Sequence, residues 1–222
     1  MTPALTIAFV TSGSDGGAAV AAGYATGEIL SQSCGFGRRA SRDVLPVADE
    51  LIRRLGKSPA DVRQVVVATG PGSFTGIRVG IATAMGIAAG RGASLGGIPT
   101  LRLMAEMVEP TVAGVVGVTL PAGRGEYYGG VFRRDEQGRM VSLEDVEARL
   151  LSASSCRSFL EGAAVIVTEA EPSAAFGGGV LQVVNWESCA RQAVSMAPVL
   201  CGRDHLVPWY VRKSWAEEVR EA

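Results

Sequence analysis

Short apolar blocks separated by glycine-rich turns open the chain. Residues 5–12 are rich in β-branched and aromatic side chains, and the pattern breaks at the glycine cluster 13–17. It resumes over residues 18–23 and again over 25–33. Strand-forming segments bounded by such clusters are typical of hairpins. The pattern therefore predicts a three-stranded antiparallel meander.

Helical periodicity follows over residues 41–55, where apolar side chains recur at intervals of three and four. The apolar positions are Val44, Leu45, Ala48, Leu51, Ile52 and Leu55. This spacing predicts an amphipathic helix that ends at Gly56. Ser58 followed by Pro59 then predicts a short helical turn. The continuous apolar run 65–69 predicts a strand that is covered on both faces.

The second half of the chain repeats the strand-rich pattern of the first. Strands are predicted over residues 114–120, 126–134, 140–143 and 163–168, with a hairpin turn at 135–138. Helices are predicted over residues 144–151, 154–160 and 188–199. The stretch 169–179 contains Pro172 and three consecutive glycines, and it is the best candidate for a mobile loop. This mixture of elements predicts an α/β protein with mixed sheets.

Composition and charge limit the function classes. The 222 residues are 47% hydrophobic and 19% charged, which predicts a folded globule. The formal net charge is −1, whereas independent nucleic-acid binders usually carry a basic excess. The apolar runs are shorter than the about 20 residues that a membrane helix needs. We therefore expect neither independent nucleic-acid binding nor a membrane span.

Histidine and cysteine usage argues against two common classes of active site. His205 is the single histidine, and Cys34, Cys156, Cys189 and Cys201 show no C-x-x-C spacing. A zinc site lacks its usual ligands, and a serine-hydrolase triad lacks a well-placed base. We expect no metal and no catalytic residue. Scattered cysteines without a secretory leader are typical of reduced thiols, which predicts a cytoplasmic protein.

The most informative segment is a glycine-rich stretch between a predicted strand and a predicted helix. Its residues are Gly70, Pro71, Gly72, Ser73, Phe74, Thr75 and Gly76, followed by Arg78. Ser73 or Thr75 can cap the helix, whose exposed N–H groups would attract an anion. The stretch lacks the lysine of a Walker A loop and does not fit G-x-G-x-x-G. A structural tight turn and a phosphate cradle both remain open.

Small residues recur every four positions along the helix that follows. They are Gly76, Gly80, Ala84 and Ala88, and a second apolar side carries Ile77, Ile81, Met85 and Ala89. Two apolar sides predict two packing partners, and a ridge of small residues permits close helix contact. The predicted partner interface comprises Leu45, Ala48, Ile52, Gly76, Gly80, Thr83, Ala84 and Ile87. Gly80 is its most sensitive predicted point.

The stretch from Gly70 to Arg78 resembles the glycine signature of the TsaB family. Four further motifs support the likeness, at residues 41–55, 96–104, 123–128 and 208–212. The resemblance covers most of the chain and implies an actin-like, ribonuclease-H-like α/β fold of two small lobes. Residues 1–100 would form the lobe with the glycine signature, and residues 101–222 a smaller second lobe.

Function and partners follow from the same resemblance. It implies a non-catalytic subunit that dimerises with the transferase TsaD and supports threonylcarbamoyl transfer to adenosine 37 of tRNA. A TsaE-like ATPase would be a further partner, and the chain alone would form a homodimer. The resemblance implies no cofactor in this chain, with ATP at the level of the complex.

Three positions depart from the family pattern. Val10 stands where an aspartate of the actin-like superfamily serves metal–nucleotide chemistry, Ala40 replaces a common histidine, and Pro121 replaces a common aspartate. An isopropyl group neither binds magnesium nor orients water, so we predict a pseudo-ATPase. The alternative hypothesis is an actin-like ATPase or small-molecule kinase whose glycine loop cradles phosphate. A glycoprotease-like peptidase has less support, because paired histidines and a triad are lacking.

Overall fold

The computed structural model describes residues 4–14, 16–34, 40–169, 179–196, 199–200, 206 and 208–211. Strands of the first sheet are β1 (Leu5–Val10), β2 (Ala18–Gly23), β3 (Ile29–Cys34), β4 (Val62–Ala68), β5 (Ser94–Ile98) and β12 (Val199–Leu200). Those of the second are β6 (Val115–Gly123), β7 (Glu126–Arg134), β8 (Met140–Ser142), β9 (Arg149–Ser152), β10 (Ala163–Thr168) and β11 (Val180–Val183). The α-helices are α1 (Ala40–Arg54), α2 (Phe74–Arg91), α3 (Thr100–Ala105), α4 (Ala153–Phe159) and α5 (Trp186–Ser195).

Both sheets mix parallel and antiparallel pairs. The first has the order β12-β5-β4-β1-β2-β3, in which β1 runs antiparallel to β2 and parallel to β4. The second has the order β11-β10-β6-β7-β8, with β9 also paired to β7. There β6 runs parallel to β10 and antiparallel to β7. The predicted α/β class with mixed sheets is confirmed.

Among the described residues, the helices pack in three apolar clusters. α1 and α2 pack on one face of the first sheet, around residues such as Phe9, Leu51 and Ile77. α3 and α5 pack in a core that both sheets share, and α4 packs on the second sheet in a smaller cluster. The first sheet is thus covered on both faces, and every residue of β1 is buried. A strand in that position has a continuous apolar sequence rather than an alternating one.

Most elements predicted for the first half are confirmed. The meander forms, although its third strand starts at Ile29 rather than at residue 25. The predicted amphipathic helix is α1. The short turn at Pro59–Asp61 is a 3₁₀ helix, and the Ser58 hydroxyl donates to the Asp61 carboxylate at 2.9 Å.

The second half departs from the prediction at several points. A helix over residues 144–151 is wrong, because residues 149–152 form β9, which pairs with β7 and places Leu151 opposite Tyr127. β5, β11 and α3 were not predicted, and Gly96 and Gly97 weaken the strand signal of β5. α5 spans Trp186–Ser195 rather than residues 188–199. Residues 170–178 of the predicted mobile loop lie outside the described residues.

Residues 199–200 and Trp209 return to the first sheet. β12 pairs with β5, and the N–H of Trp209 donates to the carbonyl of Thr69 at 2.8 Å. The division into residues 1–100 and 101–222 stays a prediction. Within the described ranges, no helix has both the length and the apolar character needed to cross a membrane.

Candidate functional site

The glycine-rich loop lies directly on the end of β1. The N–H of Ser73 donates to the carbonyl of Ser12 at 2.9 Å, and the N–H of Thr100 donates to the carbonyl of Gly70 at 2.8 Å. The φ of Gly72 is +149°, and a Cβ there would lie 2.0 Å from the Ser12 carbonyl oxygen. Glycine is required at this position, because any side chain would collide with the backbone of Ser12, just beyond the end of β1.

The same loop caps the start of α2. Ser73 Oγ accepts from the N–H of Gly76 at 3.3 Å, and the Ser73 carbonyl accepts from the N–H of Ile77 at 2.9 Å. The Thr11 hydroxyl donates to the carbonyl of Gly76 at 2.7 Å. Ser73 is therefore the cap, rather than Thr75. These contacts favour the structural tight turn over the phosphate cradle, because loop donors already bind atoms of the chain.

Phe74 and Arg78 hold Tyr210 against α2. The ring centroids of Phe74 and Tyr210 are 4.7 Å apart, and the Arg78 guanidinium carbon lies 3.9 Å from the Phe74 centroid. Arg78 Nε also donates to the Tyr210 hydroxyl at 2.9 Å. Arg78 belongs to the glycine motif and Tyr210 to the motif at 208–212, both of which resemble the TsaB pattern. The two motifs therefore meet in space although these residues are 132 positions apart.

The ridge of small residues on α2 faces its own sheet. A Cβ at Gly80 would lie 2.3 Å from Thr11 Oγ1 and 3.3 Å from Val67 Cγ2, and one at Gly76 would lie 1.9 Å from the Thr11 carbonyl oxygen. Ala84 is fully buried. Gly80 and Ala84 are buried within this chain, and the predicted partner contact at Gly76, Gly80 and Ala84 stays a prediction. These positions are small because α2 packs closely on β1 and β4.

A groove of about 310 Å³ opens between α1 and α2 and reaches down to the first sheet. Its lining residues are Ile7, Leu45, Ala48, Asp49, Ile52, Pro59, Val62, Gly86, Ile87, Gly90 and Arg91. The groove brings together Leu45, Ala48, Ile52 and Ile87 of the predicted interface. Thr83 is half-buried on α2 and does not line the groove.

The accessible side of α2 is marked by Gly86 and Gly90. A Cβ added at either position would meet no atom within 4 Å. Leu45, across the groove on α1, leaves 53% of its surface exposed. The sequence interpretation missed both glycines, although they repeat the four-residue spacing of the buried ridge. Spacing alone does not distinguish the two sides, because both have a period of four on the same helix.

Val10 stands at the position where the actin-like pattern has the aspartate of metal–nucleotide chemistry. Val10 is fully buried, pairs with Ala19 of β2 and belongs to the core shared by the two sheets. A buried isopropyl group offers a metal-bound nucleotide no oxygen ligand. In the part of the chain that the structure describes, no three His, Cys, Asp or Glu residues are grouped to hold a metal ion. The residues present do not fit a metal-bound nucleotide at this point.

Three cysteine thiols, those of Cys34, Cys156 and Cys189, are free and buried. Burial raises the pKa of Cys34 to about 12, and the nearby Asp43 carboxylate adds to the effect. Burial also raises the pKa of the Cys156 and Cys189 thiols. A thiol held protonated is a poor nucleophile. Cys201 lies outside the described residues.

Comparison with models of protein families shows which family the chain belongs to. Residues 35–148, just over half of the chain, match the family described as TsaD: tRNA N6-adenosine threonylcarbamoyltransferase. The chain belongs to the TsaD family. Its matched segment begins before α1 and ends before β9, so it includes the glycine loop and both helices that form the groove.

Two curated relatives give this member of the TsaD family its TsaB-like character. The tRNA threonylcarbamoyladenosine biosynthesis protein TsaB of Escherichia coli (strain K12) is 34% identical over 102 residues, which are 46% of this chain and 44% of that protein. The protein of the same name from Bacillus subtilis (strain 168) is 28% identical over 89 residues, or 40% and 38% of the two chains. The matches span less than half of each relative. The TsaB resemblance predicted from the glycine motif is confirmed.

Solved structures support the fold of this TsaD-family chain. YeaZ from Pseudomonas aeruginosa superposes with a TM-score of 0.74 at 19% identity, covering 93% of this chain and 99% of that one. A second structure from that organism, described as an uncharacterized protein with similarity to peptidase YEAZ, gives 0.73 at 19% identity, with 94% and 100% covered. Identity this low establishes the fold alone. The predicted actin-like α/β architecture is confirmed.

Proposed function

We propose that this protein is a non-catalytic, TsaB-like subunit that pairs with a TsaD-like transferase and supports threonylcarbamoyl transfer to adenosine in tRNA. The observation that carries the proposal is the apolar groove between α1 and α2, bordered by two glycines with open space above them. The names of the curated relatives support the biosynthetic assignment. The contact is proposed to centre on Leu45, Ile87, Gly86 and Gly90.

The shape of the groove suits a helix from the partner. Leu45 forms an exposed apolar rim on one side, and Gly86 and Gly90 present no side chain on the other. A partner backbone can therefore approach α2 closely, as it does at small-residue helix contacts. Ala48 and Ile52 line the deeper part of the groove and provide apolar contacts for an inserted side chain.

Three features support a non-catalytic role. Val10 supplies no ligand for a metal-bound nucleotide, as described above. The Ser12 hydroxyl accepts from the Thr100 hydroxyl at 2.9 Å and is fully buried, so it is tied to a structural contact. The buried cysteines are held as protonated thiols. Val10, Ser12 and the three buried cysteines are therefore engaged in packing or structural hydrogen bonds, which does not favour a role as metal ligand, nucleophile or base.

Further partners follow from the same surface. When the chain is alone, we propose that two copies cover each other's groove and form a homodimer. A TsaE-like ATPase would join after the TsaD-like subunit has replaced one copy. The proposed location is the cytoplasm, because three free cysteines suit a reducing compartment.

Light scattering on a sizing column tests the pairing. The protein is measured alone and then mixed with the TsaD-like subunit of the same organism, and we expect a homodimer to be replaced by a one-to-one complex. Gly86→Leu fills the groove and should prevent the complex. Ala153→Leu is the control, because it adds the same side chain to the exposed start of α4. Normal pairing of Gly86→Leu would contradict the proposed contact.

A deletion strain tests the biosynthetic role separately. Loss of the gene should lower threonylcarbamoyladenosine in total tRNA, and the wild-type gene should restore it. The Gly86→Leu gene should fail to restore it, whereas Ala153→Leu should succeed. Unchanged threonylcarbamoyladenosine after deletion would reject the function and leave the pairing result intact.

A further inference from the structure

The turn between β1 and β2 faces the end of β10 in the other sheet. The backbone N–H of Ser14 donates to both carboxylate oxygens of Glu169, at 2.9 and 3.1 Å. The hydroxyl of Ser14 donates to the same carboxylate. One residue of the first sheet's turn thus provides two donors to an anionic group 155 residues later in the chain. Hydrogen bonds to a charged acceptor are stronger than those between neutral groups.

Two backbone hydrogen bonds join Gly13, Gly16 and Gly17 in this turn. The N–H of Gly13 donates to the carbonyl of Gly17 at 3.1 Å, and the N–H of Gly16 donates to the carbonyl of Gly13 at 3.1 Å. A Cβ at Gly13 would lie 2.5 Å from the Gly17 carbonyl oxygen, so the turn closes tightly. The carbonyls of Gly13 and Gly17 thus accept hydrogen bonds from within the turn. The Ser14 N–H is directed instead toward the carboxylate of Glu169.

The contact lies where the apolar core shared by the sheets ends. Val10 closes β1 and Val167 is the penultimate residue of β10, and both belong to that core. Glu169 directly follows β10, and Ser14 lies in the turn that follows β1. A polar contact at this place adds an electrostatic connection between the two sheets beyond their shared apolar core.

We propose that the Glu169 carboxylate is a built-in ligand of the β1–β2 turn. It fixes the turn to the second sheet and occupies the N–H and hydroxyl of Ser14, so that other anions cannot bind there. The turn has the chemistry of a small anion site, with one backbone N–H and one hydroxyl converging on a carboxylate. Because the carboxylate is part of the chain, its local concentration at the turn is high, and a free anion must displace it. This inference does not depend on the groove or on the proposed pairing.

A matched contact elsewhere in the chain provides the control. The N–H and the hydroxyl of Ser33 donate to the Glu187 carboxylate at 3.0 and 2.8 Å. The donor and acceptor groups are the same, and this contact also joins the first sheet to a later element. Glu187 lies on α5, which packs against β1, β2 and β3. Replacing Glu187 therefore makes the same chemical change without touching the β1–β2 turn.

Amide hydrogen exchange measured by NMR on the full chain tests the fixing of the turn. Glu169→Ala should speed exchange of the Ser14 amide by about tenfold or more, as expected for the loss of a charge-assisted hydrogen bond. Glu187→Ala should speed exchange at Ser33 and leave Ser14 unchanged. Unchanged exchange at Ser14 in Glu169→Ala, or an equal effect of Glu187→Ala on Ser14, would overturn the proposal.

Titration with inorganic phosphate tests the closure to other anions. The Ser14 amide signal should not move in the wild type or in Glu187→Ala, and it should move with saturation in Glu169→Ala. An equal shift in the wild type, or no shift in Glu169→Ala, would overturn the proposal that Glu169 excludes other anions from the turn. Glu169→Gln keeps the side-chain size and removes the charge, so it repeats both measurements if the alanine variant does not fold.

Discussion

Helix α2 carries two sets of small residues with opposite surroundings. On one side, a Cβ at Gly76 or Gly80 would lie 1.9 or 2.3 Å from atoms of Thr11. On the other side, a Cβ at Gly86 or Gly90 would meet no atom within 4 Å. The first set lets the helix approach its own sheet, and the second leaves a smooth surface beside a groove. A four-residue spacing of glycines therefore indicates close backbone approach, but not which backbone approaches.

The largest expected effect is at Gly76. Gly76→Ala forces a methyl group into the carbonyl oxygen of Thr11, and backbone atoms on both sides leave little room to relax. We expect the free energy of unfolding in urea to fall by about 3 kcal/mol or more. Gly90→Ala is the control on the same helix and should not destabilise the protein. A loss below about 0.5 kcal/mol, the usual range for surface changes, would mean that α2 is not packed as described.

Gly80→Ala should have an intermediate effect. The added methyl group meets the Thr11 hydroxyl and the edge of Val67, both of which are side chains that can shift. We expect a loss of about 1–3 kcal/mol in the free energy of unfolding. Thr11→Ala removes the colliding hydroxyl, so the double variant should lose less than the sum of the single variants. Strict additivity would argue against a contact between the two positions.

Gly86→Ala should change stability in the opposite direction. Alanine favours helix over glycine by about 1 kcal/mol at an interior position, and no atom opposes its methyl group. The melting temperature should rise by about 2–4 °C for a chain of this size. A fall in the melting temperature of the monomer would show that Gly86 is covered within the chain. That result would contradict the description of the Gly86 side of α2 as open.

The smallest expected effect is at Arg78, where α2 meets the C-terminal segment. Arg78→Lys keeps the charge but loses the flat guanidinium over Phe74 and the Nε–H that donates to Tyr210. For an exposed contact we expect a loss of about 0.5–1 kcal/mol, with faster amide exchange at Trp209. Arg91→Lys, at the other end of the helix, is the control. Unchanged amide exchange at Trp209 would show that Arg78 does not help to hold this segment against α2.

The sequence predicted much of the fold in the first half and less in the second. The meander and α1 have strong local signals, since their turns and apolar spacing lie within short windows. The segment 144–151 has helical spacing, yet its last residues belong to β9. They form a strand because they pair with β7, and the local sequence pattern does not indicate this pairing. Tertiary pairing commonly overrides local propensity in this way. β5 was missed for a related reason, because Gly96 and Gly97 are tolerated where the strand is buried.

The groove between α1 and α2 gathers only some residues of the predicted interface, which itself stays a prediction. Leu45, Ala48, Ile52 and Ile87 do line one groove, because they belong to the apolar sides of two neighbouring helices. The same reasoning predicts a partner contact at Gly80, and within this chain Gly80 packs against Thr11 and Val67. Gly86 and Gly90 were overlooked, since an open glycine and a buried glycine are the same letter in the sequence.

The sequence by itself determined the family resemblance, the glycine loop and the local elements of the first half. It also determined that Val10 lacks the chemistry of a metal ligand. Only the tertiary structure decided which side of α2 is covered, how Tyr210 meets Arg78 and which carboxylate reaches Ser14. Those contacts join residues between 65 and 155 positions apart. Local patterns report backbone preference and apolar spacing, whereas burial depends on which distant segment the completed fold brings alongside.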